Sequence, residues 1–283
     1  MNLQNPKKFK VLLDQAHETA LNVLRPISRK YDKAEHAYPK ELDMLASLLD
    51  GMNDGGEGLN AGAAVNVRGD VQVGNKNGVN MSTALSIIEM CYGDTGLLLS
   101  MPRQGLGNSA IAAVANDEQL ERFKGTWAAM AITEPGCGSD SAAIRTTATK
   151  DGDDYILNGE KIFVTSGERA DSVVVWATLD KKLGRAAIKS FVVPKGTPGM
   201  KVERLEHKLG IKASDTAAIS FIDCRVPAAN LLGNAEIDVA KGFAGVMETF
   251  DNTRPLVAAM AVGCAKASDT AAISFIDCRV PAA

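Results

Sequence analysis

The hydrophobic period of this chain changes twice, and that restricts its folds more than any other feature. From Phe9 to Phe123 apolar residues recur mostly at three- and four-residue steps. From Ile144 to Phe221 they form short runs rich in Val, Ile and Thr between turn residues, and from Gly242 to Ala261 the helical step returns. A period near 3.6 places one face of a helix on a core, and a period of two places one face of a strand there, so neither pattern can be read as the other. The expectation is an α+β multidomain chain. Residues 1–125 form an N-terminal all-helical domain, 126–235 a central β-barrel or sandwich domain, and 236–265 the start of a C-terminal helical bundle.

Within the first part, Asn5 and Pro6 open a helix carrying Phe9, Leu12, Ala16, Ala20, Leu24 and Ile27, which Pro26 kinks or ends. Pro39 opens a second helix with Leu42, Leu45 and Leu49 on one face and Gly51 as its stop. Residues 51–80 are rich in Gly and Asn and read as loop, with Val65, Val67, Val71 and Val73 as a short hairpin; helices follow over 81–91, 108–115 and 117–123. Strands are expected over 144–149, 154–157, 161–165, 172–177, 190–193, 200–204 and 218–221. Turns at Lys150-Asp151-Gly152-Asp153 and Asn158-Gly159 separate the first three.

The bulk properties exclude several classes. A length of 283 residues accommodates about two domains. A formal charge of -3 offers no basic stripe for a phosphate backbone, so nucleic acid is not an expected partner. No run of about 18 apolar residues spans a membrane, and MNLQNPKKFK lacks a signal-peptide core. Five scattered cysteines suit a reducing compartment, and the expected location is cytoplasmic. His17, His36 and His207 are isolated from one another in sequence, and no metal site is expected.

Two segments carry candidate chemistry. In Ala131-Ile132-Thr133-Glu134-Pro135-Gly136-Cys137-Gly138-Ser139-Asp140 the glycines let backbone approach a ligand, and Thr133, Ser139 and free amides can donate to a ring or carbonyl; an ordinary turn has the same composition. In Lys161-Ile162-Phe163-Val164-Thr165-Ser166-Gly167 an aromatic beside a hydroxyl suits the face and edge of a flat heterocycle, although such strands are commonly plain core. Gly105-Leu106-Gly107-Asn108-Ser109-Ala110 matches the dinucleotide fingerprint, but its helical surroundings and Pro102 argue against a Rossmann site.

Together with Phe250-Asp251-x-Thr253-Arg254-Pro255-x-Val257-Ala258-Ala259, these segments resemble the acyl-CoA dehydrogenases, in particular their medium-chain type, over residues 5–265. Gly55-Gly56-Glu57-Gly58 is similar to that family's N-terminal glycine signature. The resemblance implies FAD between the domains, with cofactor contacts at Met130, Ile132, Thr133, Gly138, Ser139, Phe163, Val164 and Thr165. It implies contacts to an acyl-CoA thioester at Ser139, Asp251, Thr253 and Arg254. Met130 and Phe163 depart from the family, which commonly has aromatic residues at the first position and Trp at the second. The implied reaction is α,β-desaturation in fatty-acid catabolism. The implied partners are an electron-transfer flavoprotein or similar acceptor and further copies of the chain in a homotetramer. One branch places the catalytic carboxylate immediately before the arginine of the third motif. Thr253 stands there, so the medium-chain pattern is expected, with its Glu beyond Ala283 and no catalytic residue within this chain.

KASDTAAISFIDCRVPAA occurs at 212–229 and again, letter for letter, at 266–283. The first copy fits the family's last β segment; the second stands where a long helix would continue. A gene rearrangement, an assembly error or an engineered splice, leaving a truncated dehydrogenase with exposed apolar surface, is the expectation, since structural repeats drift and recur at least three times. Thr270, Ala272, Ser274 and Ile276 are then expected to compete for a sheet edge. The competing functions are a family relative with other flavin chemistry, of the monooxygenase or desulfinase type, and a non-catalytic flavin or acyl-CoA binding module.

Overall fold

The computed structural model describes residues 7–53, 79–239 and 244–276. The glycine signature at 55–58, the hairpin at 65–73, Gly242 and Cys278 lie outside these. The helices are α1 (Lys10–Thr19), α2 (Arg25–Lys33), α3 (Glu41–Asn53), α4 (Val79–Gly93), α5 (Thr95–Leu99), α6 (Leu106–Val114), α7 (Asp117–Arg122) and α8 (Ala244–Ile276). The strands are β1 (Ala128–Ala131), β2 (Thr147–Asp151), β3 (Asp154–Thr165), β4 (Ser172–Thr178), β5 (Ile188–Pro194), β6 (Met200–Leu205) and β7 (Thr216–Pro227). Among the described residues no helix is long and apolar enough to cross a membrane.

The strands form one curled sheet in the order β1-β4-β2-β3-β7-β6, with β5 added to β4. β1 runs parallel to β4, and β3, β7 and β6 form an antiparallel run. All seven residues of β4 are buried, because the sheet is covered on both faces. Val173, Val175 and Ala177 point into the sheet's own core with Trp127, Leu157, Phe191 and Phe221. Val174 and Trp176 alternate onto a second cluster with Ile111 of α6 and Val246 of α8. A third cluster packs α1, α2, α3 and α4 around Leu24, Leu42, Ile87 and Met90.

Several expectations change. Asn158-Gly159 is not a turn: β3 runs straight through it, with a register shift between Leu157 and Gly159. A Cβ at Gly159 would fall 2.3 Å from the Thr146 hydroxyl, so the glycine serves a close approach within a bulged strand. Pro26 does not break the first helix, because a π turn over Ala20–Leu24 precedes it and Pro26 lies in the first turn of α2. Gly51 does not stop α3, which continues to Asn53. The strand expected from Ile144 begins at Thr147, after a short 3-10 turn at Ser141–Ala143. β1 and α5, too short to show a period, were not foreseen.

The glycines of the fingerprint-like segment have a packing role. Added Cβ atoms at Gly105 and Gly107 would meet the Ala128 and Ala129 carbonyls at 2.1 and 2.3 Å. Asn108 clamps the same strand, accepting from the Ala128 amide and donating to the Thr126 carbonyl. The element before it is helix α5 rather than a strand, and the segment seats α6 on β1.

The repeated sequence adopts two structures. In the first copy Asp215 is buried beside Arg169 and Thr216–Pro227 is strand β7, paired on both sides. In the second copy residues 266–276 continue α8, so in the described part they do not compete for a sheet edge. Alanine and β-branched residues leave the segment's own preference near neutral, so its context decides. Inside the helix, Lys266 reaches the Glu89 carboxylate of α4 at 2.6 Å.

Candidate functional site

The loop after β1 and the end of β3 form one side-by-side unit. Glu134 and Cys137 exchange two backbone hydrogen bonds, at 3.0 and 3.1 Å, which closes Pro135-Gly136 into a tight turn. The Glu134 side chain points inward. It accepts from the Arg145 amide at 2.6 Å, the Thr146 amide at 2.9 Å and hydroxyl at 2.6 Å, and Lys161 Nζ at 2.8 Å. Burial works against the carboxylate, but the Lys161 charge and these donors outweigh it and hold Glu134 below the usual carboxylate range. Lys161 is fully buried and donates also to the Ile132 carbonyl at 3.1 Å. The Ile162 amide then donates to the Thr133 carbonyl at 2.9 Å, so the two segments singled out in the sequence lie against each other.

A second register shift in the β3–β7 ladder, between Lys161 and Val164, lifts Ile162 and Phe163 out of the regular pairing. Phe163 has φ +58° and is 61% exposed. For a bulky residue that is a strained backbone, of the kind that gathers at ligand sites. Thr133, Thr165 and Met130 are half-buried, and Gly138 and Ser139 are exposed. Cβ atoms at Gly136 and Gly138 would meet nothing within 4 Å, so this face is open.

The remaining expected residues divide. Ile132 and Val164 are buried, with Val164 in the sheet core, and both present backbone only. Asp251 and Arg254 are exposed on α8. Arg254 lies over the Phe250 ring, 5.0 Å from its centre. Phe250 and Met130 pack on the same apolar cluster, which brings the start of α8 to the end of β1. Thr253 is buried, and its hydroxyl donates to the Thr249 carbonyl at 3.0 Å. That hydroxyl faces the packed side of the helix and is no proton acceptor.

Sequence reading missed the role of Glu134 and Lys161, quoted above only as motif letters. It also separated His36 from His207. The connection between β6 and β7 lies against the segment after α2, so their rings stand 5.2 Å apart beside Glu35. His17 does remain apart, with Glu89 and Tyr92.

A curled sheet with helices on its outer face and two stitched loops at its rim is the arrangement of a known enzyme class: residues 129–224 match the family model "Acyl-CoA dehydrogenase, middle domain". A solved butyryl-CoA dehydrogenase from Megasphaera elsdenii superposes with a TM-score of 0.79 at 31% identity, covering 99% of this chain and 71% of that one. The rat mitochondrial short-chain specific acyl-CoA dehydrogenase (Rattus norvegicus) is 31% identical over 294 aligned residues, 98% of this chain and 65% of that protein. The acryloyl-CoA reductase (NADH) of Anaerotignum propionicum is 39% identical over 179 residues, 60% of this chain and 44% of that protein. This chain belongs to the acyl-CoA dehydrogenase family. It spans less than two thirds of the length of these two curated relatives.

Proposed function

We propose that this chain forms the flavin- and thioester-binding body of an FAD-dependent acyl-CoA dehydrogenase acting in α,β-desaturation of acyl-CoA thioesters. The observation that carries the reading is the Ile162–Thr133 backbone hydrogen bond, which holds the segments of Thr133 and Thr165, both half-buried, against each other next to the exposed Phe163. These residues fit a flat heterocycle: donors lie at the rim, an aromatic at one face, and glycines where backbone must come close.

When bound, FAD supplies the acceptor for the hydrogen leaving the β-carbon. The protein's own part is positional. Thr133 and Thr165 donate to the ring edge, Phe163 shields a face from water, and Met130 closes the apolar side. Ser139, Asp251 and Arg254 hold the CoA portion, Arg254 contributing the positive charge that a phosphate or thioester carbonyl seeks. Thr253 supports α8 through its bond to Thr249 and moves no proton.

The test is anaerobic. The purified chain is loaded with FAD and titrated with butyryl-CoA while the flavin absorbance is followed. A shifted flavin band shows thioester binding, and bleaching shows desaturation by this chain. A bound but unbleached flavin marks a binding body without its proton acceptor. A chain that takes up no FAD contradicts the proposal.

A further inference from the structure

Outside the flavin face, Glu35, His36 and His207 come from distant parts of the sequence and meet in one place. Glu35 and His36 follow α2, and His207 lies between β6 and β7. One donor atom from each lies within 4.8 Å of the other two. His207 Nδ1 stands 3.0 Å from Glu35 Oε2. Two ligands about 2.0–2.1 Å from a tetrahedral zinc ion stand roughly 3.3 Å apart, so this pair is already near coordinating separation. The His36 donor lies within 4.8 Å of both, and the His207 side chain is 85% exposed and free to adjust to an ion.

Two observations set the cluster apart from a surface ion pair. Both ring nitrogens of His36 are buried and have no hydrogen-bond partner. An imidazole desolvated in this way costs stability unless its lone pair is used. His36 also adopts φ +69°, so the backbone holds it in a sparsely populated conformation. The Glu35 carboxylate is also fixed in place, accepting from the Lys208 amide at 2.8 Å.

Two neighbouring cations, Lys208 and Arg169, are engaged with other groups. The Lys208 ammonium bonds the Ser214 carbonyl and the Thr216 hydroxyl. Arg169 pairs with Asp215 and donates to the carbonyls of His36 and Ala37. Lys212 acts on Glu35 through its charge alone.

We propose that Glu35, His36 and His207 form a binding site for a zinc-class divalent cation that staples the segment after α2 to the β6–β7 connection. Two imidazoles and one carboxylate are the donor set that borderline first-row cations such as Zn²⁺ prefer. The exposed side of His207 leaves room for water as a fourth ligand.

Calorimetric titration of the purified chain with Zn²⁺ alone tests this. The expected result is one Zn²⁺ per chain with a micromolar or tighter Kd, weakened at least tenfold in His207→Ala and in Glu35→Gln, and unchanged in Cys264→Ser, which removes the thiol that is exposed among the described residues. Zn²⁺ should raise the thermal midpoint of the wild-type chain and not that of His207→Ala. His207 is exposed, so its replacement does not endanger folding. Wild-type binding no tighter than that of His207→Ala, or binding lost in Cys264→Ser, overturns the proposal.

Discussion

Lys161 Nζ lies 2.8 Å from Glu134 Oε1, with the lysine wholly removed from solvent and both partners at the root of the two loops that form the open face. Removing one member of a buried pair strands the other. Glu134→Ala is expected to cost about 3–5 kcal/mol in urea denaturation. Lys161→Met should cost less, because Glu134 keeps the Arg145 and Thr146 donors. Flavin affinity should fall in both.

Phe163 tests whether strain is held for binding. It is largely exposed at φ +58°, so Phe163→Gly relieves the backbone and removes little packing. Folding stability should change by no more than about 1 kcal/mol. The dissociation constant for FAD should rise about tenfold by flavin fluorescence. Unchanged flavin affinity would make Phe163 a bystander.

Gly107→Ala tests the seat of α6. The new methyl group would collide with the Ala129 carbonyl, which cannot move without dragging β1. A loss of about 1–3 kcal/mol in thermal or urea unfolding is expected. A nicotinamide site would instead show as lost NADH binding with stability intact.

Much of this was legible beforehand. The helix, sheet, helix order follows from the apolar pattern, because α4 buries Ile87, Met90 and Cys91 at helical spacing while β4 is a short Val-rich run buried on both faces. That Thr133 and Thr165 serve one cofactor was implied only by the resemblance, and the hydrogen bond that joins their segments was not implied at all. What sequence could not show was long-range. Glu134 and Lys161 are separated by a hairpin, and His36 and His207 by most of the chain. Asn158-Gly159 has turn chemistry, yet the Thr146 approach at that point requires a bulge. The repeated segment carries the limit furthest, since identical letters give strand β7 in one place and the end of α8 in another.

Acid should loosen the link between α2 and α3. Glu41 accepts from Lys30 at 2.7 Å and from Tyr31, and these bonds hold its carboxyl at about 2, below the ordinary 4.5. A lowered carboxylate contributes stability that is present above its unfolded value and lost as pH falls through the folded one. Stability should therefore decline between about pH 4.5 and pH 2, and Glu41→Gln should flatten that part of the profile, as read by urea midpoints across pH.

The most direct measurement is the FAD dissociation constant of the chain and of its Thr133→Val, Thr165→Val double variant, by quenching of flavin fluorescence. The account predicts saturable binding by the parent and a loss of at least tenfold in the variant with unfolding unchanged. Equal affinities, or no binding by the parent, would contradict it.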